Sequence, residues 1–165
     1  MSRTTRRLSK VLVSIDGSEQ SMKAAEYAIV IARGNESQLI ALHVLFSQTG
    51  YAYSSGTFGG LVTPNSIKAI YDSAKQESQK WFEDIREKID DEEKKYPGKK
   101  PIDLKTDVVV TATSVASAIV GYSEQNNIDL IVIGTRGRSG FKRLLLGSVA
   151  SGVVTYSGCP VMVVK

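Results

Sequence analysis

Cysteine, histidine and tryptophan each occur once in this chain of 165 residues. Cys159 therefore has no internal disulfide partner, and beside Pro160 at the start of a terminal apolar run it reads as a small buried hydrophobe. A metal site built on imidazoles needs several convergent ligands, so the single His43 reads as a strand residue near a site rim. Long hydrophobic runs are missing too. None approaches the roughly 18 residues of a membrane span, and no membrane partner is expected. The opening MSRTTRRLSK is basic but lacks an apolar stretch or a small-residue cleavage site, which gives a cytoplasmic expectation. The net charge of +4 is modest and is carried in part by Arg3, Arg6 and Arg7. With no basic helix and no aromatic interleaving, no nucleic-acid partner is expected. Residues 1–9 are expected to form a disordered basic tail, and residues 10–165 one domain long enough to bury its own core.

What is present is a strict alternation. KVLVSI, residues 10–15, is a short apolar run rich in β-branched residues and ends at Asp16-Gly17-Ser18, the pattern of a first strand. Residues 18–33 place Met22, Ala25, Ile29 and Ala32 on one helical face, with Gly34-Asn35 as the stop. SQLIALHVLF, residues 37–46, is a second strand. Residues 47–65 have no clear periodicity and are long for a loop, where about 4–6 residues is typical; a lid, a disordered insertion and a partner contact all fit. From residue 66 to residue 95 a helical stripe runs through Ile67, Ile70, Tyr71, Ala74, Ser78, Trp81, Phe82, Ile85 and Ile89. Trp81 is read as part of that stripe, and residues 90–95 as a solvated charge run.

The third strand spans residues 102–111. Thr113-Ser114 then caps a helix through Asn127, and the fourth strand covers residues 128–133. A helix over residues 148–156 and a strand over residues 160–164 close the chain. Strands apolar on both faces, alternating with helices, imply an open parallel sheet with helices on both sides and right-handed crossovers. In such sheets ligands sit beyond the carboxyl ends of the strands where the strand order reverses.

After the fourth strand come Gly134, Gly137, a basic segment through Arg143, and Gly147-Ser148 at a helix start. Glycines let a ligand approach the main chain, and a helix start presents unpaired N–H groups to an anion. The spacing G-x2-G-x9-G-S, with DLIVIG before it and CPVMVVK after it, resembles the signature of the ATP-binding branch of the universal stress protein family. This resemblance implies a Rossmann-like fold of the adenine nucleotide alpha hydrolase type, an open five-stranded parallel sheet of order 3-2-1-4-5. It also implies a stress-response regulatory module binding ATP or AMP, and a homodimer formed by the terminal strand, Val161 to Val164. That strand is short and apolar, and an exposed edge invites pairing.

The same resemblance assigns residues. Asp16, behind Ser14 and Ile15 at the end of the first strand, is the expected nucleoside carboxylate; its competing role is an N-cap with Glu19 three residues on. Val44 matches the position flanking adenine. Ile133 and Gly134 are expected to border base and ribose. Gly137, Gly147, Ser148 and Val149 are expected to hold phosphates, with Arg136 and Arg138 the better placed of the loop cations. Two departures stand out: Ser14 replaces a frequent proline, and Thr113 and Val115 replace a glycine and a proline or small residue, so that Thr113 is expected to narrow the pocket or alter the loop.

The chain lacks a Walker lysine before Ser148, and no G-x-G-x-x-G follows the first strand, where Asp16-Gly17-Ser18-Glu19 stands. P-loop hydrolysis and a dinucleotide cofactor are thereby disfavoured. A nucleotide-binding module with little or no turnover fits best. Slow hydrolysis or self-phosphorylation is the alternative, since Asp16 could hold Mg2+ against the phosphates.

Overall fold

The computed structural model describes residues 7–48, 64–135 and 146–165. Nine elements alternate along them: β1 (Lys10–Ser14), α1 (Glu19–Asn35), β2 (Gln38–Phe46), α2 (Pro64–Lys95), β3 (Leu104–Thr111), α3 (Val115–Gln125), β4 (Leu130–Gly134), α4 (Ser148–Tyr156) and β5 (Val161–Val164). The strands form one sheet of order β3-β2-β1-β4-β5, every pairing parallel. This is the expected order, so β1 and β4 lie side by side where the order reverses.

Side chains alternate across the sheet, and both sides are dry. Val11, Val13, Leu39 and Ala41 face α1 and the Ala74, Phe82, Ile85 and Ile89 stripe of α2. Leu12, Ile40, Leu42 and Ile131 face α3 and α4 through Ile119, Tyr122, Ala150 and Val153. Complete burial of a leucine or isoleucine such as Leu12 or Ile40 contributes about 2 kcal/mol, which is why the unbroken apolar runs settle in central strands. The helical stripe of α2 is tight from Ala74 onward, whereas Tyr71 is exposed. Helices α3 and α4 approach closely: a Cβ on Gly152 would lie 2.8 Å from the Cβ of Ala116.

Two expectations are corrected at the periphery. Within the expected tail, residues 7–9 are held: Arg7 Nε donates to the Asn35 carbonyl at 2.9 Å, the Leu8 carbonyl accepts from Ser37 Oγ at 2.7 Å, and Ser9 N–H donates to Asp129 at 2.8 Å. In the charge run, Glu93 is no solvated end. Its Oε1 accepts the Ile102 N–H at 2.7 Å and lies 3.3 Å from the buried Arg33, whose Nη1 donates to the Lys100 carbonyl at 2.6 Å. The guanidinium fastens the end of α1 to the turn between α2 and β3, because a buried cation needs paired oxygens.

Candidate functional site

The site begins where β1 stops. The Ile15 N–H makes a last rung to the Leu42 carbonyl at 2.8 Å, and the paired register ends at Ser14 and Leu42. The chain then turns through Asp16 and Gly17. Asp16 Oδ1 accepts from Ser18 N–H at 3.0 Å and from Ser18 Oγ at 2.6 Å. Ser18, in extended conformation, is the N-cap of α1, its Oγ accepting the Ser21 N–H at 3.2 Å. The capping role considered for Asp16 is therefore filled by Ser18, and Asp16 instead braces the cap from outside the helix. Ser21 Oγ completes the turn, donating to the Ser18 carbonyl at 2.9 Å and lying 3.3 Å from the Asp16 N–H that donates to it.

Gly17 has φ +78°, and a Cβ there would fall 2.3 Å from the Trp81 ring. The turn thus needs glycine for its backbone and for the indole lying on it. Trp81 belongs to the buried stripe of α2 as expected, but it also reaches the floor of this turn. Its ring meets His43 edge-on, centroids 5.2 Å apart. His43 is buried at 3% exposure; its Nδ1 sits 2.9 Å from the Ile15 carbonyl, and its Nε2 has no hydrogen-bond partner among the described residues.

The facing wall is built from β4 and α4. Thr135 N–H donates to the Val164 carbonyl at 2.8 Å, and the Thr135 carbonyl accepts from the Gly147 N–H at 2.7 Å, which ties the start of α4 to the end of β4. Gly147 is the N-cap and has no side-chain cap, and the first intrahelical bond runs from Ser151 N–H to its carbonyl at 2.8 Å. The N–H groups of Ser148, Val149 and Ala150 in this first turn have no acceptor within the helix.

Between the walls lies a cleft of about 340 Å3. Ser14, Ile15 and Asp16 line one side, Gly147, Ser148 and Val149 the other, and Val44, Ile133 and Gly134 the base. The structure brings these nine expected residues together. Arg136, Gly137 and Arg138 lie outside the described residues, as do most residues of the expected lid. Thr113 is exposed and does not border the cleft; Val115 does, so the narrowing residue at this corner is the valine. Ser21, Phe46 and Thr135 also line it and were not expected there from the sequence. Phe46 alone could have been flagged, as an aromatic two residues after Val44 at the end of a strand.

Among the described residues no three His, Cys, Asp or Glu side chains gather to hold a metal ion. Among the described residues lining the cleft, Asp16 is the only carboxylate, so a divalent cation would reach the protein there through a ligand's own phosphates. A separate polar cluster lies on the outer strand: Tyr122 Oη donates to Asp107 Oδ2 at 2.8 Å, and Lys105 Nζ donates to Tyr122 Oη at 3.2 Å. Burial pushes the Tyr122 phenol up, and the hydrogen bond to Tyr122 raises the Lys105 ammonium. None of the three borders the cleft.

A family model described as the universal stress protein family matches residues 8–165. Universal stress protein MJ0531 of Methanocaldococcus jannaschii is 32% identical over 94% of this chain and 81% of its own length. Universal stress protein YxiE of Bacillus subtilis is 31% identical over 94% and 98%. Among solved structures, hypothetical protein MJ0577 has a TM-score of 0.71 at 26% identity, covering 96% of each chain. Two more share the fold. A universal stress protein in complex with cAMP has a TM-score of 0.57 at 23% identity over 96% of this chain and 98% of its own. One from Archaeoglobus fulgidus in complex with dAMP has a TM-score of 0.55 at 20% identity, with the same coverage of both chains. On the matched span and the two curated relatives, this chain belongs to the universal stress protein family.

Proposed function

We propose that the cleft binds an adenine nucleotide, ATP or AMP, and that the protein acts as a stress-response regulatory module with little or no turnover. The observation that carries this reading is the uncapped first turn of α4 facing Asp16 across the cleft. Free N–H groups and the helix dipole favour a phosphate at Ser148 and Val149. Asp16 then accepts from ribose hydroxyls, and the base lies toward Val44, Val115 and Ile133. Main-chain parity supports that placement. Leu39 and Ser47 donate to Asp103 and Thr111, so odd-numbered residues of β2 bond to β3, and even-numbered Val44 turns its N–H and C=O toward β1, which has already ended. Family members described in complex with cAMP and dAMP support the choice of adenine. Any Mg2+ would arrive with the phosphates and meet Asp16.

The test is mass spectrometry of the nucleotide released when the freshly purified protein is denatured, with calorimetric titration of ATP, ADP and AMP in Mg2+. Recovery or titration of an adenine nucleotide is the expected result; neither would end the reading. Phosphate release from ATP by the pure protein then measures turnover, expected to be close to none.

The assembly belongs to the same proposal. β5 is the outer strand of the sheet beside β4, and Val161, Met162 and Val163 are only partly buried. A two-fold homodimer through Val161 to Val164 covers them. Light scattering at micromolar concentration is expected to give twice the chain mass.

A further inference from the structure

We infer that His43 is a positioning residue that ends the β1–β2 ladder one rung early and so holds the Val44 N–H for the base of the bound nucleotide. The inference rests on the nucleotide reading above. In a parallel pair, the rung after Ile15 N–H to Leu42 C=O runs from Val44 N–H to the Ile15 carbonyl. The register stops at Ser14 and Leu42, and that rung is not made. Its acceptor is used by the His43 side chain instead, Nδ1 lying 2.9 Å from the Ile15 oxygen. A carbonyl only accepts, so Nδ1 carries the proton, and the imidazole is the donor that a main-chain amide would otherwise be.

The substitution is firmly held. His43 is almost wholly buried, and the Trp81 ring stands edge-on against it. Nε2 has no hydrogen-bond partner among the described residues, so the Ile15 carbonyl and the indole together set the ring's orientation. The main chain of His43 meanwhile pairs with Val108 on β3, so β2 continues as a strand to Phe46 while β1 has left it. Val44 is left with a donor and an acceptor facing the cleft. An adenine presents the complementary pair on its Watson–Crick edge, a ring nitrogen that accepts and an exocyclic amine that donates.

Two readouts test this. Amide exchange by NMR on the free protein is expected to show Val44 exchanging faster than its ladder neighbour Leu42. In His43→Phe the Ile15 carbonyl is released, Val44 recaptures it, and the Val44 amide slows by about tenfold or more. His43→Asn places a side-chain N–H near the position of Nδ1 and is expected to restore fast exchange. On the binding side, His43→Phe lowers affinity for AMP about tenfold while affinity for ribose 5-phosphate, which has no base, is unchanged. A general packing defect would weaken both ligands together. Val44 as protected as Leu42 in the free wild-type protein overturns the inference. So does a His43→Phe protein with wild-type Val44 exchange and an unchanged ratio of AMP to ribose 5-phosphate affinity. Should His43→Phe fail to fold, the wild-type and His43→Asn exchange rates decide. A protein that binds no AMP refutes the nucleotide reading, and the exchange rates still report on the ladder.

Discussion

Two helix N-termini border the same cleft, and they are finished differently. α1 opens on Ser18, whose hydroxyl takes the Ser21 N–H while Asp16 braces it from outside. α4 opens on Gly147, with no side-chain cap among the described residues. Both follow central parallel strands and both carry the positive end of a dipole. Among the described residues, only the first turn of α4 has no side chain accepting one of its amide hydrogens. A capped terminus is a structural joint, whereas an uncapped one beside a cleft is a receptor for negative charge. Under the proposed nucleotide reading, phosphate belongs to the β4 side and the ribose hydroxyls to Asp16 on the β1 side.

The largest effect is expected from closing the open terminus. Gly147→Asp supplies a cap worth a few tenths of a kcal/mol over glycine, so the midpoint of thermal unfolding should hold or rise slightly. The carboxylate repels phosphate and occupies its donors, and loss of two charge-assisted bonds lowers nucleotide affinity at least about a hundredfold. Calorimetric titration beside thermal denaturation checks both, and retained affinity would remove α4 from the phosphate site. Next comes the closed side. Gly17→Ala forces a left-handed alanine against the Trp81 ring and should destabilise by about 2–4 kcal/mol in urea denaturation.

Opening the closed terminus should do less. Ser18→Ala removes the cap and one partner of Asp16, costing about 1 kcal/mol, and should leave nucleotide affinity within a few-fold in the same titration. The smallest effect is set away from both termini. Tyr122 and Lys105 have folded pKa values raised above their unfolded ones. The stability they contribute is complete below about pH 10 and is lost as pH climbs through the raised values. Tyr122→Phe should flatten that alkaline decline in stability without moving nucleotide affinity.

Much of this was legible because it is written in periodicity. The runs at residues 10–15 and 37–46 could be buried only between two helical layers, and the order of the sheet followed with the family signature. Glycine spacing located the wall at Gly134 and Gly147. The missing parts share a physical cause: they depend on which main-chain group a side chain reaches. Whether Asp16 or Ser18 caps α1 turns on the extended conformation of one residue. Glu93 reads as one charge among six until Arg33, 60 positions earlier, is found folded against it. His43 appears in the sequence as a polar interruption of an apolar strand, and nothing local says that its ring bonds a carbonyl of the neighbouring strand.

The contact between Gly152 and Ala116 has a mechanical consequence for the cleft. Ala116 follows Val115, which narrows one corner, and Gly152 sits one turn beyond Ser148 on the opposite wall. At this contact there is no room for a methyl group on Gly152, so the two helices meet as hard surfaces, and the spacing between those walls is set by the Ala116 methyl against the Gly152 main chain. A ligand cannot tighten the cleft by drawing α3 and α4 together, because they already touch. At this contact the aperture is fixed, like a calliper locked at one setting.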